Sequence, residues 1–166
     1  LNQELKALQS KDYPEKTFWT ITPLWNKQRS TLQQFIDTFS LKFPVGFASQ
    51  INDFVYGYYK LEGGKKTPFL LVRFENYDIM YQLMRKWEDT IFNGTLVLFY
   101  PEQAVSTLLK LETPTFTDVI VNNIPVRTAT LSSGNSISYG FLTEKTLLIS
   151  TSSNLAEPVL RRMIGR

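Results

Sequence analysis

The pair Tyr-Gly occurs twice in the chain, as Tyr56-Gly57 and Tyr139-Gly140, and the two copies lie 83 residues apart in a sequence of 166. Each opens the same series of patterns. Tyr56-Gly57-Tyr58-Tyr59 is followed by a turn, the apolar run Phe69-Leu70-Leu71-Val72 and a helical segment containing Leu83-Met84-Arg85. Tyr139-Gly140-Phe141-Leu142 is followed by a turn, Leu147-Leu148-Ile149 and a helical segment containing Leu160-Arg161-Arg162-Met163. Two copies of a strand-strand-helix unit are the natural reading. Glycine in mid-strand marks either a bulge or a close approach by a neighbouring backbone. The feature therefore predicts an α+β fold: a mostly antiparallel sheet, with helices packed on one face, formed by two duplicated units. With no flexible Gly/Ser linker in the chain, residues 1–166 read as one domain. Its pseudo-repeats span about 17–99 and 113–166 and are joined by a helix at about 101–111.

Local patterns fill in this frame. Leu1, Leu5 and Leu8 are spaced as in a short helix. Phe18–Thr22 reads as a strand, and Leu32, Phe35, Ile36 and Phe39 place an amphipathic helix within about 27–40. Asp53–Leu61 and Phe69–Phe74 form a hairpin around Glu62-Gly63-Gly64, and the uninterrupted apolar run in its second strand implies cover on both faces. Asn76 is the expected N-cap of a helix with Ile79, Met80, Leu83, Met84, Trp87 and Ile91 in one stripe. Thr95–Tyr100 is expected as a short strand, and Ala104, Val105, Leu108 and Leu109 as the apolar face of the joining helix. Strands at about 115–121, 125–131, 136–142 and 146–151 come next. A last helix at about 155–164 points Leu155, Val159, Leu160 and Met163 inward.

Composition decides which chemistry such a fold can carry. The chain has no Cys and no His, which removes Cys/His zinc sites, thiol nucleophiles and the Ser-His-Asp triad. Paired carboxylates remain as a route to catalysis. Glu75 and Asp78 flank a strand-to-helix turn and Glu88-Asp89 follow on the helix, but a first-turn acid and a solvated helix face account for them without chemistry. No GxSxG or phosphate-loop pattern occurs, so no cofactor is implied. Asp118 and Arg127 lie on adjacent strands joined at Asn122-Asn123 and are expected to form a cross-strand structural ion pair. Arg73, isolated in an apolar strand, needs a carboxylate or an exit to solvent. Asn93-Gly94-Thr95 has the form of a glycosylation sequon. Tyr56, Tyr58, Tyr77 and Tyr81 are the candidates for a partner-binding surface, because tyrosine suits interfaces.

Charge gives little direction. The net +3 arises from 18 Lys plus Arg against 15 Asp plus Glu, and the only adjacent basic pairs, Lys65-Lys66 and Arg161-Arg162, do not build the clustered face that phosphate backbones require. No run reaches the roughly 18 to 20 apolar residues of a membrane span. The sequence starts at Leu1 and not Met, so a preceding anchor, signal or tail is expected.

Three stretches together resemble a known family. They are Pro68–Val72 through Trp87-Glu88 to Leu98-Phe99, then Phe116–Asn122 through Val126-Arg127, and Tyr139–Thr151. Across about Thr17 to Met163 they are similar to a membrane-anchored family of candidate phyla radiation bacteria (Patescibacteria) that has no assigned activity. The chain departs from that family at Asn122-Asn123-Ile124-Pro125, where a charged residue is usual. The resemblance implies one transmembrane segment ahead of an extracytoplasmic domain, located at the cell envelope. The expected function is a non-enzymatic interaction or envelope-assembly domain whose partner is another protein or an envelope component, with room for oligomers at open strand edges. The alternatives are a carboxylate-dependent hydrolase acting on glycan or peptide, built on residues such as Asp78, Glu88 and Asp118, and a nucleic-acid or anionic-surface binder using Lys65, Lys66, Arg161 and Arg162.

Overall fold

The computed structural model describes residues 12–92, 98–100 and 114–165. Among the described residues there are nine strands: β1 (Phe18–Ile21), β2 (Leu24–Trp25), β3 (Gln28–Arg29), β4 (Ile51–Lys60), β5 (Lys66–Phe74), β6 (Thr117–Val121), β7 (Ile124–Thr130), β8 (Ser136–Thr143) and β9 (Thr146–Ser150). The helices are α1 (Leu32–Phe39), α2 (Tyr77–Trp87) and α3 (Ala156–Met163). β2 and β3 pair only with each other, and the remaining strands form one sheet in the order β1-β4-β5-β9-β8-β7-β6, antiparallel throughout. The expected α+β architecture with an antiparallel sheet is what the chain adopts.

Local chemistry sets the boundaries. α1 begins later than its apolar spacing alone implies, because Gln28 and Arg29 are taken up by β3 after a turn in which Asn26 and Lys27 both have positive φ. Thr31 then caps the helix in a capping box with Gln34, and Ser40 closes it in the left-handed region. Asn76 caps α2 by accepting from the Ile79 amide at 3.1 Å. Pro158 falls in the first turn of α3, where its missing N–H costs nothing. Leu98 and Phe99 are helical and not part of a strand. Leu98 is fully buried and its carbonyl accepts from the Tyr56 hydroxyl at 2.8 Å. The expected opening helix, the joining helix at 101–111 and the sequon at Asn93 lie outside the described residues.

Because side chains alternate along a strand, the pairing registers sort the core into two layers. One face carries Phe54, Tyr56, Tyr58, Leu70, Val72, Phe74, Ile137, Tyr139, Leu147 and Ile149, packed under α1 and α2. The other carries Tyr59, Phe69, Val126 and Leu148, packed against Leu155, Ala156 and Val159 at the start of α3. The helices thus divide between the faces and are not confined to one. The central strands β5 and β9 are apolar on both sides, so a single helical layer would leave Phe69 and Leu148 in water. Two positions expected to point inward, Ile79 on α2 and Met163 on α3, are 44% and 41% exposed. Arg73 takes the exit to solvent at the end of β5.

The strand pairings are arranged symmetrically about the Leu70–Ile149 pair, an arrangement that does not by itself confirm the expected duplication. Leu70 faces Ile149 across β5 and β9, with Phe69 opposite Ser150 and Leu71 opposite Leu148. Outward from that centre Tyr56 pairs with Leu70 and Tyr139 with Ile149, while Gly57 pairs with Phe69 and Gly140 with Leu148. β1 flanks β4 as β7 flanks β8. The helices break this symmetry, since α2 lies on the tyrosine face and α3 on the glycine face.

Both glycines prove to be sites of close approach and not bulges. A Cβ on Gly57 would collide with the backbone carbonyl oxygen of Trp19 in β1, whereas one on Gly140 would meet Val126 Cγ2 at 3.1 Å and the Pro125 carbonyl oxygen at 3.2 Å. The first is an outright overlap with backbone, whereas the second asks its neighbours to give by only a few tenths of an ångström. Gly57→Ala is expected to cost more than about 3 kcal/mol and Gly140→Ala about 1 kcal/mol, measured by urea unfolding; equal costs would contradict the difference in packing.

Candidate functional site

Along α2, residues spaced three and four apart share a side of the helix, and Tyr77, Tyr81, Arg85 and Glu88 form one such stripe. On the opposing sheet face, β8 presents Tyr139 and Phe141, β7 presents Arg127 and β6 presents Asp118 in register. The stripe and the strands enclose a cleft of about 720 Å³ that includes Tyr77, Tyr81, Asp118, Arg127, Tyr139 and Phe141, with Glu75, Glu144 and Lys145 at its rim. The Tyr77 and Tyr81 rings stack at 6.1 Å with an interplanar angle of 17°, and Phe141 lies 4.8 Å from Tyr77.

Two of the residues lining the cleft, Arg127 and Tyr139, converge on Glu88, which does not itself line it and is 9% exposed. Arg127 grips its carboxylate with two donors, Nε to Oε1 at 2.5 Å and Nη2 to Oε2 at 2.9 Å. Tyr139 donates its hydroxyl to Oε1 at 2.5 Å, and Arg85 Nη1 donates to Oε1 at 2.9 Å. Arg127 reaches outward as well, donating from Nη1 to Asp118 Oδ1 at 2.8 Å and lying over the Phe116 ring. Paired arginine forks of this kind are the strong form of charge-assisted bond. Their register is fixed nearby, since the two-residue turn at Asn122-Asn123 adopts positive φ at both residues, as asparagine tolerates.

The electrostatics follow from this geometry. Burial by itself would raise the pKa of Glu88, but hydrogen bonds from Arg127 and Tyr139 and the charges of Arg127 and Arg85 outweigh it and hold the carboxyl below its ordinary 4.5. The hydrogen bond to Glu88 pushes Arg127 up. Burial, and then the hydrogen bond to the Glu88 carboxylate, push Tyr139 well above the usual phenol value.

The structure places the expected residues unevenly. Asp118 and Arg127 face each other and form the predicted ion pair. Tyr77 and Tyr81 are 41% and 43% exposed and line the cleft. Tyr56 and Tyr58 do not belong to any surface: both are core residues, 0% and 3% exposed, because the even positions of β4 lie under α1, and their hydroxyls bond to each other at 3.0 Å. Burial pushes the Tyr56 phenol well up. Asp78 sits exposed in the first turn of α2, and Asp89 is exposed. Glu75 pairs with the Asn52 side-chain amide. Glu88 does not lie on a wet face as expected; it is the anchor of the cluster. The clue to it was the 77-81-85-88 spacing, which continues the tyrosine stripe into the acid.

A second cleft, of about 760 Å³, lies between α3 and the β1–β4 edge. Arg161 and Arg162 line it together with Glu157, Glu62 and Lys16, and Arg161 is bonded to Glu157. Lys65 and Lys66 are not among its lining residues. No group of three metal-ligating side chains occurs among the described residues, and no described helix is long and apolar enough to cross a membrane. No protein-family model, curated protein or solved structure matches the chain.

Removing the charge of Glu88 leaves Arg127 without its main partner in a poorly solvated position, whereas Asp118 is 80% exposed at its side chain. Glu88→Gln is therefore expected to cost about 2–3 kcal/mol, and Asp118→Asn less than about 1 kcal/mol. The Glu88 pKa is depressed on folding, so its stabilisation is complete above about pH 4.5 and is lost as pH falls through the lower folded value. Unfolding curves for native protein are expected to lose stability over that acid range, and Glu88→Gln is expected to flatten that limb. An unchanged acid limb would show that the carboxylate is not the stabilising group.

Proposed function

We propose that the chain is a non-enzymatic, extracytoplasmic interaction domain of a single-span envelope protein, which engages another protein or an envelope component through the cleft between α2 and β6–β8. The observation that carries this reading is the way the converging charges are used. General acid–base catalysis needs a group poised near the working pH, yet Glu88 is held low while Arg127 and Tyr139 are held high. These groups are committed to one another. What the cleft offers outward is the ring surface of Tyr77, Tyr81 and Phe141, a surface that suits recognition. The placement outside the cytoplasm rests on the family resemblance of the sequence.

A photo-crosslinking residue at position 77 or 81 of the full-length protein in its native cells is expected to give a discrete adduct, with little from the same residue at Arg162. Fractionation is expected to recover the protein with membranes. Adducts from position 162 alone, or recovery in the cytosol, would overturn the reading. So would turnover of a peptide or glycan that Glu88→Gln abolishes at a temperature where the variant remains folded.

A further inference from the structure

The cleft ends at a sheet edge, and the edge has properties of its own. β6 is the last strand in the sheet order, with no described element on its outer side. Natural sheets blunt such edges with short strands, charged side chains, Pro, a bulge or a covering segment. At the opposite edge the Tyr13 ring packs, tilted, against Trp19 of β1 with ring centroids 3.9 Å apart. β6 has the single charge of Asp118, with no Pro, no bulge and no covering element among the described residues. Its sequence, Thr-Asp-Val-Ile-Val, pairs with β7 without a bulge, and Ile120 is 76% exposed.

The register fixes what this edge presents. Val121 and Ile124 flank a two-residue turn and therefore form a hydrogen-bonded pair, so bonding to β7 alternates to Val119 and Thr117. The N–H and C=O groups of Asp118 and Ile120 consequently point away from the sheet. Pro125, opposite Ile120, fits this phase, since its missing N–H is not needed for pairing with β6. The Asp118 and Ile120 side chains share the face that holds the cleft, and Asp118 uses only Oδ1 on Arg127, with its side chain 80% exposed.

We propose that the β6 edge accepts an extended segment of a partner protein as an eighth antiparallel strand, with a basic residue opposite Asp118 and an apolar residue two positions away opposite Ile120. This deepens the interaction reading and rests on it: edge hydrogen bonds supply affinity, and side chains on the cleft face supply selectivity. Charge complementarity selects the basic residue, because an exposed carboxylate with an uncommitted oxygen would face like charge unfavourably. A partner segment is favoured over a second copy by charge: β6 itself, Thr-Asp-Val-Ile-Val, holds no basic residue that a second copy could set opposite Asp118.

The test uses a soluble valine-threonine strand peptide with one central lysine, its counterpart with glutamate at that position, and fluorescence anisotropy. The lysine peptide is expected to bind roughly threefold to tenfold more tightly than the glutamate peptide. Asp118→Asn is expected to bring the two affinities together. Ile120→Pro removes an outward N–H without touching the β6–β7 ladder; it is expected to keep its fold by circular dichroism and lose both peptides. Hydrogen exchange is expected to show new protection at the Asp118 and Ile120 amides. Undiminished binding to folded Ile120→Pro, or absence of saturable binding to native protein, would overturn the proposal. So would a dimer lost in Ile120→Pro that leaves no edge for the peptide. If Ile120→Pro keeps the crosslinked adduct that Tyr77→Ala abolishes, the interaction reading stands and the edge proposal alone falls.

Discussion

Five antiparallel residue pairs, running from Phe69 opposite Ser150 to Arg73 opposite Thr146, hold the two halves of the chain together. Everything else is arranged around that seam. β5 and β9 are central in their sheet and apolar on both faces, so each face must be covered for the chain to fold at all. α1 and α2 cover one face, α3 covers the other, and the hairpins extend symmetrically outward to β1 on one side and β7 on the other. The glycines follow from the same geometry, as each lies where an outer strand crowds the hairpin.

The site arises where the symmetry stops. On the helical face of the first half, α1 lays Phe35 against Phe54 and Tyr56 at ring separations of 5.2 and 5.7 Å. At the second half the same face carries a salt-bridged cluster. Tyr56 and Tyr139 occupy equivalent places in their hairpins, yet Tyr56 gives its hydroxyl to a backbone carbonyl and Tyr139 gives its own to a carboxylate. An ion cluster at this depth contributes less to net stability than apolar packing would. It ties the end of α2 to β7, and through Asp118 to β6, beside the cleft that Tyr77 and Tyr81 line.

Much of the fold is legible in the sequence because it depends on local periodicity. The two hairpins, α2 with its Asn76 cap and the Asp118–Arg127 pair all follow from alternation, turn chemistry and spacing within a few tens of residues. What was not legible depends on which face is covered. Tyr56 and Tyr58 carry the same side chain as Tyr77 and Tyr81, and only the sheet register under α1 assigns the first pair to the core. Glu88 looked solvated because its neighbours Lys86 and Asp89 are, and its partners Arg127 and Tyr139 lie 39 and 51 residues away. Leu98 and Phe99 have strand-forming composition, but burial beneath Tyr56 overrides that propensity.

The cluster around Arg127 and Tyr139 depends on Glu88 being charged in the folded protein. A carboxyl-carbon NMR titration of Glu88 in the folded protein, assigned by loss of its signal in Glu88→Gln, measures this directly. A midpoint below the ordinary 4.5 is expected. A midpoint near neutrality would contradict it, because the carboxyl would then be poised to exchange protons and the cleft would have to be read as a catalytic site.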